Sequence, residues 1–161
     1  MTIMATNSIE KTEFESLVKR YKSIVYSICF MFADTKMQAD DLFQEVLINL
    51  WKGFNTFRGD ASLQSWVYRV SMNTCISYGR KKKVATVALD IAPDIIGGDS
   101  SESRQTQMLH RRIQLLEPLD RAIVLLWLEN MSYEEIGEII GTSARNIGVR
   151  LVRIKEKLKS L

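Results

Sequence analysis

The sequence predicts an all-α protein of two small helical domains joined by a flexible linker, and three observations predict it. Apolar residues recur at three- and four-residue steps through most of the 161 positions. No stretch alternates apolar and polar residues for longer than "VATVAL", a weak strand signal. One segment breaks the helical period: residues 84–104, "VATVALDIAPDIIGGDSSESR". It holds Pro93, Gly97, Gly98, a serine cluster and the acids Asp90, Asp94, Asp99 and Glu102, and it reads as a tether. The expected domains are therefore 11–83 and 105–161, with 84–104 between them.

The elements follow in order. Phe14, Leu17, Val18, Tyr21, Ile24, Val25, Ile28 and Phe32 mark a first helix, and Ala39, Leu42, Phe43, Val46, Leu47 and Leu50 a second. A turn follows at "FNTFRGD". A third helix carries Leu63, Val67, Val70 and Thr74 on its core face. Beyond the tether, helical pattern resumes near Gln105 and runs to Glu117, with Pro118 marking a restart. Another helix, about Leu119 to Glu129, presents Leu119, Ile123, Leu126 and Trp127.

The chain ends in the strongest local motif, "MSYEEIGEIIGTSARNIGVRLVRIKEKL". Ser132 followed by Glu135 is a capping box that starts a helix. Ile136, Ile139 and Ile140 give that helix a buried stripe, and Gly141 is suited to end it in the left-handed conformation. Ser143 caps the next helix, and Gly137 is small enough to let it cross closely. Two helices joined by a short glycine turn form a helix-turn-helix. On the last helix Ile147, Leu151, Ile154 and Leu158 form an inner stripe. Arg145, Asn146, Val149, Arg150, Arg153 and Lys157 fall on the outer side: five groups able to bond phosphates or base edges, and one that can touch a thymine methyl. From Ala144 to Leu161 there are six basic residues and one acid. A solvated surface helix is the competing reading; the capping box, turn glycine and buried stripe together favour DNA.

A second cationic surface lies earlier. Between Asp60 and Asp90 the chain has no acid, yet it holds Arg69 and the run Arg80, Lys81, Lys82, Lys83, beside Trp66, Tyr68, Asn73 and Tyr78. Trp66, Arg69, Asn73, Ile76 and Arg80 project to one face of the third helix. Guanidinium groups track phosphates, an indole stacks on a base, and the Asn73 amide both donates and accepts. The competing reading makes Trp66 and Tyr68 half-buried core residues. The second helix is opposite in character: Asp41, Gln44, Glu45 and Ile48 point outward, with Trp51 at the side. An acidic face repels nucleic acid, and Ile48 among carboxylates suits a protein partner with a basic, partly apolar surface. A merely solvated face is the alternative.

Composition sets outer limits. The net charge is only +3, with 46% hydrophobic and 25% charged residues, so any nucleic-acid footprint must come from clustering. The longest apolar runs, such as "IVLLWL", are too short to cross a bilayer, and "MTIMATNSIEKTEF" has no signal-peptide core; the expected compartment is the cytoplasm. Cys29, Cys75 and the single His110 form no metal-ligand pattern. No metal, cofactor, small-molecule substrate or catalytic residue is expected.

With these surfaces drawn, the chain resembles the extracytoplasmic-function (ECF) sigma factors of bacterial RNA polymerase. "ADDLFQEVLINLWKGFNTFRGDASLQSWVYRVSMNTCISYGR" is similar to sigma region two, and "LLEPLDRAIVLLWLENMSYEEIGEIIGTSARNIGVRLVRIKEKL" to sigma region four. The resemblance implies that Asp41, Gln44, Glu45 and Ile48 dock on the β′ clamp helices of core polymerase. It implies that Phe57, Arg58, Trp66, Arg69, Asn73 and Arg80 recognise and help melt the −10 element, with Asn73 helping to capture a flipped base. It implies that the last helix reads the −35 element in the major groove, that the second domain meets the β flap, and that an anti-sigma factor, often membrane-bound, holds the protein inactive. The chain departs from the family at Gly148 and Val149, where a basic and a small hydroxyl residue are common. A free-standing duplex-binding repressor or activator is the rival reading, but it needs no acidic docking face. A recombinase would need a nucleophile and clustered arginines or carboxylates that are not visible.

Overall fold

In a computed structural model, residues 2–57, 62–86 and 104–160 are described, and among them lie seven helices and no strand. The first domain is a bundle of α1 (Thr2–Phe32), α2 (Lys36–Phe54) and α3 (Leu63–Thr86). Its core takes Leu17, Tyr21, Val25, Ile28 and Phe32 from α1, Ala39, Leu42, Val46 and Leu50 from α2, and Val67, Met72 and Cys75 from α3. On α1 and α2 these are the periodic positions of the sequence, whereas on α3 Val67 is joined by Met72 and Cys75, and Leu63 and Val70 are only half-buried; each large apolar side chain contributes about 1.5–3 kcal/mol when fully buried. Thr35 starts α2: its hydroxyl accepts from the Gln38 backbone N–H, while the Gln38 side chain accepts from the Asp34 N–H. This is a slightly shifted capping box, written in the sequence as Thr-Lys-Met-Gln. The thiols of Cys29 and Cys75 meet in the core, and that contact, with burial, pushes the Cys75 thiol well up.

The helix α3 runs three residues into the segment expected as tether, because "VAT" after the lysines contains no helix breaker. The remaining tether, with its four acids, lies outside the described residues.

The second domain is α4 (Arg104–Gln114), α5 (Pro118–Leu128), α6 (Tyr133–Ile140) and α7 (Ala144–Ser160). Pro118 opens α5 at its first helical position, where a missing N–H is harmless. Asn130, at φ 61°, closes α5: its N–H bonds the Trp127 carbonyl and the Met131 N–H bonds the Leu126 carbonyl, the paired bonds of a Schellman ending. The expected punctuation of the helix-turn-helix is in place. Ser132 and Ser143 accept from the N–H groups of Glu135 and Asn146, and Gly141 takes φ 94°.

The two domains are also packed on each other, α5 and α6 against α3. Two arginines bridge the junction by capping helix C-terminal ends, where carbonyls lack partners within their own helix. Arg69 of α3 donates to the Glu138 carbonyl of α6 at 2.6 Å. Arg121 of α5 donates to the Met31 carbonyl at the end of α1, and within its own domain to Gln114 and Leu116. Its guanidinium lies over the Phe32 ring. Gly79 of α3 is the point of closest approach: a Cβ there would sit 2.8 Å from the Pro118 ring.

Candidate nucleic-acid interface

The acidic face of α2 is laid out as expected. Asp41, Gln44, Glu45 and Ile48 are all exposed, Ile48 at 52%. The structure adds Met37, 75% exposed and one helical turn before Asp41, with Trp51 at 43% three residues beyond Ile48. The result is a stripe in which exposed apolar side chains, Met37 at one end and Ile48 and Trp51 at the other, flank Asp41, Gln44 and Glu45. The Trp51 end is braced from behind, since Phe14 packs edge-on against Trp51 with ring centroids 5.0 Å apart. Met37 was legible as an i, i+4 neighbour of Asp41, but its place ahead of the periodic core positions hid it. Asp40 is occupied elsewhere, accepting from the Tyr26 hydroxyl at 2.9 Å; that bond holds the phenol pKa up.

The α3 face is narrower than the sequence projection. Arg69 and Asn73 are exposed and Trp66 is half-buried. Ile76, projected onto the same face, is 7% exposed and belongs to the core. Tyr68, grouped with the cationic surface, is 4% exposed. The reason is the domain junction: α3 is covered on one side by α1 and α2 and on another by α5 and α6, so more of its circumference is buried than in a surface helix. Tyr78 also turns from the cationic group. It is half-buried, burial raises its pKa, and the charges of Asp34, Asp41 and Glu45 raise it further. Trp66 lies beside Phe57, ring centroids 5.2 Å apart, so two residues expected at the −10 surface do come together. Their half-burial also means that part of each indole and phenyl face supports the core. Asn49 of α2 donates to Thr74 of α3, whose hydroxyl donates to the Val70 carbonyl, fixing the rotation of α3 that turns Asn73 outward. Arg58 lies outside the described residues, and of Arg80 only its place in α3 is described.

On α7 the inner stripe is buried at Ile147, Leu151 and Ile154 and half-buried at Leu158. On the outer side Arg145, Asn146, Val149, Arg153 and Lys157 are exposed. Asn146 donates to the Thr142 hydroxyl at the turn. Arg150 is only half-exposed and is not free: Nη2 lies 3.2 Å from Asp120 Oδ1, and Lys157 Nζ lies 3.8 Å from Asp120 Oδ2. The acid responsible sits on α5, thirty residues away in the chain, and no local pattern reveals it. Lys155 lies over the Trp127 ring at 4.3 Å. Arg145 and Arg153 have no acidic partner among the described residues. At Gly148 the Tyr133 ring of α6 comes within 3.4 Å of where a Cβ would be.

Among the described residues no group of three histidine, cysteine or acidic side chains gathers as for a metal, and no helix is long and apolar enough to cross a membrane.

Comparison with known proteins follows this division. Residues 17–84 match the family described as sigma-70 region 2, and residues 106–158 the family described as sigma-70, region 4. The chain is similar to the RNA polymerase sigma-H factor of Pseudomonas aeruginosa, 28% identical over 92% of this chain and 86% of that protein. It is also similar to the ECF RNA polymerase sigma-E factor of Escherichia coli strain K12, with 28% identity over 92% of this chain and 86% of the relative. Among solved structures, the sigma factor RpoE in complex with the anti-sigma factor NepR, from Bartonella quintana, has a TM-score of 0.76. It is 20% identical, with 92% of this chain and 95% of that chain covered. CnrH in complex with the cytosolic domain of CnrY has a TM-score of 0.67 at 19% identity, covering 93% and 87%. At such identities these two structures speak for a shared fold.

Proposed function

Because the chain belongs to the sigma-70 family, as an ECF sigma factor that directs core RNA polymerase to promoters, we propose that its three exposed faces divide the labour of initiation. The α2 stripe of Met37, Asp41, Gln44, Glu45, Ile48 and Trp51 docks on core polymerase. Carboxylates steer it toward a basic surface, and the flanking apolar groups supply contact area once it is there. The α3 face holds the −10 element as separated strands. Arg69 meets phosphate, Asn73 bonds the edge of an unstacked base, and Phe57 and Trp66 offer the rims of their rings. The outer side of α7 enters the major groove at the −35 element.

Melting then needs no catalytic group. Unstacking a base step requires a few kcal/mol, and stacking and pocket bonds to a captured base return about 1–3 kcal/mol each. Capture raises the population of the open state that thermal motion already visits. Nucleotide chemistry stays with the polymerase; this chain supplies selection, and it acts in the cytoplasm, where the polymerase and promoters are. Arg69 must exchange the Glu138 carbonyl for phosphate, so the domain junction loosens as the promoter is engaged. An anti-sigma factor that keeps the chain from core polymerase is the expected regulator, supported by the structural neighbour from Bartonella quintana, a sigma factor solved with the anti-sigma factor NepR.

The observation that carries this reading is the opposition of two helices in one bundle. The exposed face of α2 is acidic and apolar, while α3 carries no acid along its length. Run-off transcription with core polymerase on a promoter library tests it. Transcripts should start at a defined subset of promoters and depend on the chain. Specific binding of duplex DNA in the absence of polymerase, with no gain in transcription, would instead support a free-standing regulator.

A further inference from the structure

Among the described residues Asp120 is the buried charged side chain, 6% exposed. It sits in the first turn of α5, where the helix dipole favours a carboxylate. Both its partners lie on α7, two turns apart, and both belong to the outer, DNA-facing side. The apolar inner stripe of Ile147, Leu151 and Ile154 offers a carboxylate no partner, and its charge is met instead by two groups of the face placed toward DNA. It holds Arg150 by one nitrogen. The other guanidinium N–H groups have no acceptor among the described residues, and the Arg150 side chain keeps 42% of its exposure.

We propose that Asp120 is a positioning residue for promoter reading: it fixes the Arg150 guanidinium so that its remaining N–H groups meet a base edge in the −35 element. The proposal rests on α7 being the −35 helix. A planar fork anchored on one side keeps its direction, and direction is what distinguishes one base edge from another. A freely rotating guanidinium keeps its charge and still attracts phosphate, so it binds DNA without reading it. Lys157, farther from the carboxylate and more exposed, is held more loosely and fits a phosphate contact.

The test uses holoenzyme assembled from core polymerase and the full chain, on a promoter selected from the library and on the same promoter with its −35 element scrambled. Asp120→Asn is expected to lower the ratio of the two affinities about tenfold, within the range of one well-oriented base contact. Binding to the scrambled promoter should stay level or rise, because a negative charge beside the DNA face is gone. Asp120→Glu should recover part of the ratio. In an Arg150→Gln background, Asp120→Asn should have no further effect on the ratio. Thermal unfolding of each variant accompanies these measurements. An unchanged ratio, a parallel fall in both affinities with a lowered melting temperature, or additive effects of Asp120→Asn and Arg150→Gln would each overturn the proposal. Arg153→Gln is the control: if it leaves −35 binding intact, the placement of α7 on DNA fails first and the role of Asp120 falls with it.

Discussion

Gly137 has no room for a methyl group: a Cβ there would lie 2.5 Å from the Thr142 carbonyl oxygen, which is backbone and cannot swing aside. Gly137→Ala should therefore force α6 and α7 apart and destabilise the second domain by roughly 1–3 kcal/mol, as overpacking does elsewhere. Denaturant unfolding would show the loss as a shifted midpoint. Asn73 makes the opposite case. It is exposed and no core contact depends on it, so Asn73→Ala should leave the unfolding midpoint within about 0.5 kcal/mol of the parent while impairing promoter opening. A variant that unfolds early would place Asn73 in the scaffold instead. At this scale the sequence was legible where a residue acts on its own backbone neighbourhood. Ser132, Gly141 and Ser143 declare their roles within four positions. Asp120 and Ile76 do not, because their surroundings come from other helices.

The helix α2 shows what an element can carry that single residues cannot. Met37, Asp41, Gln44 and Ile48 follow one another at three- and four-residue intervals, so a single straight stripe presents them together. Replacing two of the exposed apolar residues, Met37→Ser with Ile48→Ser, should weaken core binding about tenfold or more without lowering stability, since neither side chain is in the core. Competition against labelled parent protein for core polymerase measures it. Glu45→Ala should act mainly on the association rate and be masked by high salt. The last helix offers a contrast. Gly148 weakens α7 by about 1 kcal/mol relative to alanine, and the Tyr133 ring lies at ordinary contact distance from the added methyl. Gly148→Ala should thus stabilise the domain by up to about 1 kcal/mol in thermal unfolding. The existence and order of the helices were readable from periodicity, and the uninterrupted tether-side end of α3 was not, because no breaker marks it.

Across the whole molecule, arginines placed at helix ends add to a core of apolar side chains that runs through both domains. Arg69 caps α6, Arg121 caps α1 and α4, and Arg112 donates to the Leu158 carbonyl near the end of α7. Each satisfies carbonyls that a helix leaves open and sets a cation against the negative end of its dipole. Two of these caps cross from one domain to the other. Arg121→Ala would strand several carbonyls at once, at about 1–3 kcal/mol for a buried unsatisfied group. It should loosen the junction, seen as an increased radius of gyration in small-angle scattering; unchanged dimensions would mean that apolar packing alone holds the domains. This level was illegible in the sequence: a tether with Pro93, Gly97 and Gly98 suggests two independent units, and nothing local indicates that Gly79 and Pro118 touch. The partition into an acidic, partly apolar face on α2 and an acid-free α3 was legible, because charge is read directly and burial only trims it.

That partition is tested most directly by permanganate footprinting of thymines in the −10 region of a selected promoter, with core polymerase and either the parent chain or Asn73→Ala. The parent should make these thymines reactive, and Asn73→Ala should lower their reactivity about tenfold while binding core polymerase as tightly. Thymines that stay protected with the parent chain, or that react equally with the variant, would contradict the account.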